Sequence, residues 1–220
     1  DKGVLMVVKN YTGDVMNFEM AAEMAELDDI EVDYVVVDDD VSIAEKEGSS
    51  GRRGIAGTIF VHKIAGAAAE EGRNLSEVKT VAEKVIANTR SLGMAMSSCI
   101  LPAVGKPSFQ LEDDEIEIGM GIHGEPGCRK TKLLTAKELA KEMGERILEN
   151  LDYAGSEVAV LVNGLGATPL MELYIFNHEV HQMLSEKGIR IYRTYVGNYM
   201  TSLEMAGCSL SLLRLDEEPK

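Results

Sequence analysis

The feature that most constrains this chain lies near its start. Gly3-Val4-Leu5-Met6-Val7-Val8 is an unbroken apolar run, followed by the polar turn Lys9-Asn10-Tyr11-Thr12-Gly13-Asp14. A short continuous apolar run is the pattern of a strand buried on both faces, as in a parallel sheet, whereas a half-exposed strand alternates. Next come apolar residues at helical spacing: Val15, Phe18, Ala22 and Ala25, with Met16, Met20 and Met24 beside them. Ile30 to Val37 is then rich in β-branched residues and stops at Asp38-Asp39-Asp40. Strand, turn, helix and strand in this order build a parallel sheet.

The remaining chain continues in this manner. Gly48 to Gly54 reads as a flexible loop carrying Arg52 and Arg53, and Ile55 to Glu71 as a helix rich in small residues. Ser76 is placed to cap a helix running to Arg90, and Leu92 to Ile100 reads as a strand. The link Leu101 to Pro107 is rich in turn residues and serves as the expected domain boundary. Glu115 to Ile122 alternates as a half-exposed strand would. Thr135 and Glu138 have capping-box spacing and open a helix to Leu151. Val158 to Val162 is a strand, a helix follows from Leu170 to Lys187, and strands close the chain at Ile189 to Val196 and Ser209 to Leu215. The expected fold class is α/β: a parallel or mixed sheet domain over residues 1–105, then a second α/β domain over 106–220.

Composition excludes several functions. With 22 Lys+Arg against 37 Asp+Glu the formal charge is −15, which repels a phosphate backbone, so no nucleic acid is expected as a partner. Hydrophobic residues make up 45%, enough for a core, yet no apolar run approaches the roughly 20 residues of a membrane span. Cys99, Cys128 and Cys208 are odd in number and lack CxxC or zinc spacing, so reduced thiols and a cytoplasmic location are expected. The chain starts almost inside an apolar run with no initiator Met and reads as a fragment.

Ligands of open α/β sheets sit beyond the carboxyl ends of strands, and three loops occupy such positions. The first presents Lys9 and Asp14. Asp14 falls where a helix starts, so its ionised form is favoured; the plain alternative is that Thr12 or Asp14 is only an N-cap. The second presents His123 among Gly121, Gly124, Pro126 and Gly127. An accessible imidazole at a strand exit can act as base, acid or nucleophile, or it can simply be a turn histidine with a structural hydrogen bond. The third, Asn163-Gly164-Leu165-Gly166, lacks the full dinucleotide fingerprint and reads as a tight turn at a domain or subunit junction; no P-loop is present. His178 and His181 sit three apart on a helix without a third ligand, His62 reads as structural, and no metal site is expected. The Asp38 to Asp40 run reads as solvated carboxylates, and the methionine rows, Met94 and Met96 included, read as core packing.

Taken together, GVLMVVKNYTGDVMNF at 3–18, VVVDDDV, GRRGIAGTIFVHKIAGAAAEEG, GKPSF at 105–109, GMGIHGEPG at 119–127 and LVNGLGATPLMELY at 161–174 strongly resemble the substrate-binding subunit of dihydroxyacetone kinases, the DhaK type. The match runs through nearly the whole chain in the same order. The resemblance implies phosphoryl transfer to dihydroxyacetone, with the ketone held as a hemiaminal on a histidine nitrogen, here His123. It makes Lys9 and Asp14 substrate-binding residues, and Asp14 a catalytic base for the reacting hydroxyl. It implies a homodimer, no cofactor on this chain, and a Mg-nucleotide on a partner domain or subunit of DhaL type, the phosphate donor being ATP or a phosphotransferase-system phosphoprotein. It also implies an upstream SGGGSGHEP-type loop with a further histidine, which these residues do not contain, so the chain reads as the greater part of such a subunit, trimmed at both ends or divided between chains. A second reading is a catalytically inert paralogue that senses dihydroxyacetone and binds a transcriptional regulator.

Overall fold

The first apolar run forms β1 (Val4–Lys9), the segment with helical spacing forms α1 (Thr12–Leu27), and the valine-rich segment forms β2 (Val32–Val37). β1 and β2 pair in parallel from Val4–Val32 to Lys9–Val37, as a strand-helix-strand crossover requires. The computed structural model describes residues 2–42, 51–123, 125 and 127–216; residues 48–50 of the expected arginine loop, and Gly124 and Pro126, lie outside them.

Two helices follow, α2 (Thr58–Glu70) and α3 (Leu75–Ala87), and then β3 (Thr89–Ala95). The cap of α3 is Asn74, in a reciprocal capping box with Glu77. Ser76, the expected cap, therefore sits inside the first turn; the Asn-x-x-Glu pair closes two amide donors where Ser76 would close one. The second half supplies β4 (Glu115–Ile118), β5 (Arg129–Lys132), α4 (Ala136–Glu149), β6 (Glu157–Gly164), α5 (Leu170–Glu186), β7 (Arg190–Gly197) and β8 (Gly207–Leu215). Thr135 and Glu138 form the expected capping box at the start of α4.

The fold is α/β with mixed pairing. A six-stranded sheet has the order β5-β4-β3-β8-β6-β7, in which β6 and β7 are parallel and the other neighbours antiparallel. β3, from before the link at 101–107, pairs with β8 from Thr89–Leu213 to Ala95–Gly207, and a parallel bridge from Asp40 to Ser91 joins the end of β2 to it. Because β8 is central, its alternation serves two cores rather than core and solvent. Leu210 and Leu212 face α4 and α5; Leu213 and Leu215 face α2 and α3.

Four expectations are corrected. β1 is a strand but is not buried on both faces: Val8 is its one buried residue and Val4 is 46% exposed, because a two-stranded sheet leaves β1 at an edge. Met94 is buried, but Met16, Met20 and Met24 are 61%, 57% and 63% exposed. At about 100° per residue, positions four apart form one row, and that row lies roughly opposite Ala22, the buried residue of α1. β4 is not half-exposed: Ile116, Glu117 and Ile118 are all buried, because the chain folds back over them and Glu117 Oε1 accepts the Gly127 amide at 2.7 Å. Nor are the aspartates solvated, since Asp39 and Asp40 are 1% and 0% exposed.

Asp39 caps the next helix from a distance. Its two oxygens accept the amides of Ile55 and Gly57, both at 2.8 Å, ahead of the first turn of α2. A Cβ at Gly57 would stand 2.5 Å from Asp39 Oδ2, so only glycine admits the carboxylate. Burial pushes Asp39 up to about 6, against hydrogen bonds from Ser91, Ile55 and Gly57 that favour the ion. The folded state thus holds this proton more tightly than the unfolded chain, and Asp39 makes the fold more stable as pH falls from 7 towards 4. Asp39→Ala strands two buried amides and lowers the unfolding free energy at pH 5 by about 2 kcal/mol. It also removes that pH slope, so in urea titrations the deficit at pH 7 is smaller than at pH 5.

Candidate functional site

Loops from opposite halves of the sequence meet here. β1 ends at Lys9. The cap position of α1 belongs to Tyr11, which makes no side-chain cap hydrogen bond, and Asp14 lies in the first turn. Neither Thr12 nor Asp14 is therefore the N-cap residue, and Asp14 stands half-buried at the end of the helix where a carboxylate is favoured. The loop after β4 carries His123 to the same place. Its ring centroid is 4.6 Å from that of Tyr11, edge-on at 63°, and both Asp14 and Lys9 are close enough to act on its charge. The loop after β1 and the loop after β4 thus approach one another at the imidazole.

Glu125 completes it. Its Oε1 is 3.4 Å from His123 Nδ1, and its Oε2 accepts the His123 amide at 3.0 Å. Hydrogen bonding to Glu125 holds the imidazole above its usual 6.5; partial burial opposes this, Asp14 adds to it and Lys9 subtracts. Burial would raise Glu125 in turn, but His123, the loop amides and the Arg53 guanidinium together hold its carboxyl below the ordinary range. The His123 side chain remains 53% exposed, open to a ligand.

The loop is clamped at both ends. Arg53, buried on the segment after β2, donates Nε to Asp40 at 2.8 Å and Nη2 to Ser42 Oγ and to the Gly119 carbonyl, each at 2.6 Å. At the far end the Gly127 amide goes to Glu117 and the Cys128 amide to the Ile118 carbonyl at 2.8 Å. Asp40 is pushed up by burial, and Arg53 is the strongest influence holding it ionised. Arg52 fixes the same segment to β2, with Nη2 2.9 Å from Asp38 Oδ2, while Asn10 Nδ2 reaches the Arg52 carbonyl at 2.7 Å. Gly121 carries no Cβ because one would collide with the Glu125 carboxylate.

The glycine loop at 163–166 is a structural joint. Buried Asn163 accepts the amides of Tyr199 and Met200 at 2.9 and 2.8 Å and donates to the Met200 carbonyl at 2.7 Å. Leu165 packs with Met120 from the histidine loop and with Phe109 of the GKPSF segment. The three motifs therefore meet in one small apolar cluster beneath the site. His62 and His178 are exposed on helices, and His181 Nε2 is 2.9 Å from Thr194 Oγ1. Among the described residues no three metal-ligating side chains converge, and no helix is long and apolar enough to cross a membrane.

The sequence reading gives Tyr11 and Glu125 no role, and it places Arg53 in a flexible loop and the Asp39–Asp40 pair in solvent. The one available signal was the matched charge of an aspartate run and an arginine pair, and their pairing depends on distances that local spacing does not contain.

The sequence pattern of the Dak1 domain matches residues 1–220. The chain is 57% identical over 217 residues to the dihydroxyacetone-binding subunit DhaK of PTS-dependent dihydroxyacetone kinase 1 of Listeria innocua, covering 98% of this chain and 66% of that protein. It spans just under two thirds of the first three curated relatives. Among solved structures, the dihydroxyacetone kinase operon co-activator Dha-DhaQ superposes with a TM-score of 0.92 at 37% identity, over 98% of this chain and 67% of that one. The dihydroxyacetone kinase of C. freundii in complex with AMP-PNP and Mg2+ does so with 0.90 at 37% identity, over 99% and 40%.

The clamp yields a direct test. Arg53→Leu leaves Asp40 buried without its cation and frees the Gly119 carbonyl. Breaking a buried pair from one side costs about 3 kcal/mol or more, which denaturant unfolding will register, together with faster amide exchange across residues 119–123.

Proposed function

The chain belongs to the Dak1 domain family, and on that premise we propose that it is the dihydroxyacetone-binding part of a dihydroxyacetone kinase. His123 captures the ketone covalently, and Lys9 and Asp14 orient it. The observation that carries this reading is the meeting of Lys9, Asp14 and His123 around a half-exposed imidazole. In the capture step a lone pair on the imidazole forms a carbon–nitrogen bond, the carbonyl π pair moves to oxygen, and that oxygen takes a proton. The adduct requires a carbonyl, so triols such as glycerol are rejected. Ionised Asp14 then accepts the proton of the terminal hydroxyl as it attacks phosphorus, while the Lys9 ammonium donates to substrate oxygen. Holding the substrate is itself a large share of phosphoryl-transfer catalysis.

The phosphate donor, ATP or a phosphotransferase-system phosphoprotein, acts through a partner domain or subunit of DhaL type. That partner carries any Mg-nucleotide, and this chain binds no cofactor of its own. The assembly is a cytoplasmic homodimer. The first of the chain's two α/β parts covers residues 1–105 and the second 106–220, and β3 of the first pairs with β8 of the second. A second reading, an inert sensor of dihydroxyacetone that engages a regulator, is favoured by the likeness to the operon co-activator. A coupled assay with a DhaL-type partner separates the two: the kinase turns over, and the sensor binds ketone without product.

His123→Ala abolishes a dihydroxyacetone adduct in intact-mass measurements; equal capture by variant and parent refutes the covalent role. Asp14→Asn keeps the adduct but slows phosphoryl transfer by roughly 10²–10⁴. Protonated imidazole has no free lone pair, and His123 is held above 6.5. Capture is therefore suppressed at pH 6 and strengthens as pH rises through that raised value, as calorimetric titration at several pH values will read.

A further inference from the structure

A ketone-capturing histidine needs more than exposure. It must present one nitrogen with a lone pair, and it must lose a proton from the other as the new bond forms, or the adduct remains an imidazolium. Which nitrogen carries the proton is set by what faces the other one.

Here a single carboxylate faces Nδ1. Glu125 Oε2 is engaged by the backbone amide of His123 at 3.0 Å, which leaves Oε1 as the oxygen directed at the ring, 3.4 Å from Nδ1. Oε1 is buried and has no hydrogen-bond partner, so Nδ1 at 3.4 Å is the polar atom it faces. The absence of a Cβ at Gly121 makes room for this carboxylate, and the Arg53 guanidinium acts on its charge. Tyr11 packs edge-on against the imidazole and limits its tilt.

Resting on the capture reading above, we propose that Glu125 is the positioning residue of the site: it fixes His123 as the Nδ1–H tautomer, leaves Nε2 free to attack, and takes up the Nδ1 proton as the adduct forms. The step balances. The Nε2 lone pair makes the carbon–nitrogen bond, the carbonyl π pair goes to oxygen, that oxygen gains a proton from solvent, and the ring sheds one to Glu125, which returns it to solvent. No co-reactant is consumed. The other groups facing the ring are Asp14 from the start of α1, Lys9 from the end of β1 and Tyr11 between them, and the two charges oppose each other. Glu125 is faced by His123, Tyr11 and Arg53.

Nitrogen-detected NMR of the histidine ring in the free chain reads the tautomer without any ketone. The expected result is a protonated Nδ1 and a bare Nε2; a parent protein with the opposite tautomer overturns the proposal. In Glu125→Gln the amide oxygen stays with the His123 backbone amide, so the NH2 group faces Nδ1 and inverts the tautomer. The titration midpoint of His123 falls, and ketone capture drops on the order of 100-fold, as when the outer partner that fixes a histidine's tautomer is lost. Glu125→Asp, which keeps the charge, recovers part of both. Unchanged tautomer, midpoint and capture in Glu125→Gln overturn the proposal. An Nδ1–H tautomer in a parent that forms no adduct leaves the positioning role standing and overturns the capture reading instead.

Discussion

Two adjacent carboxylates at the end of β2, Asp39 and Asp40, are the constraint on which the rest of the site depends. Successive residues of an extended chain point to opposite sides, so the pair acts in two directions. Asp39 reaches forward to the amides that open α2. Asp40 holds Arg53, and Arg53 holds the carbonyl of Gly119 at the root of the histidine loop. Buried charges are tolerated only when paired and hydrogen-bonded. The aspartates therefore fix the chain around them far more tightly than apolar side chains in the same place would.

From that anchor the electrostatics follow in sequence. His123, the loop amides and, more weakly, Arg53 hold Glu125 below the ordinary carboxyl range, Glu125 raises the imidazole of His123, and Asp14 and Lys9 press on that imidazole from opposite signs. The chain of influence runs from the end of one strand, through a buried guanidinium, to a half-exposed ring. The apolar counterpart lies beneath it, where Phe109, Met120 and Leu165 bring three separate glycine-bearing segments into contact.

Much of this was legible in the sequence. The unbroken apolar runs predict buried strands; β6 is one, whereas β1 is an edge of a two-stranded sheet in which only Val8 is buried. The capping box at Thr135 announced α4. Lys9, Asp14 and His123 were each singled out for standing beyond a strand. Where the reading missed, it missed in one way. Spacing assigns the Met16 row to the core because it reports which residues share a face, not which face is covered. Charge assigns the aspartates to solvent because it reports a preference, not a partner. Alternation places Glu117 outward because the return of the chain over β4 is a long-range event.

Local periodicity, capping pairs and turn residues determined by themselves the α/β class, most of the elements and the two loops that carry Lys9, Asp14 and His123, since each depends on interactions within a few residues. Tertiary structure alone decided that Arg53 meets Asp40, that Glu125 turns its buried oxygen towards Nδ1, and that β8 from the end of the chain lies between β3 and β6. Those choices rest on burial, and burial depends on what every other segment covers. A pairing between distant charges gains its strength from the desolvation that the whole fold imposes, and no window of sequence contains it.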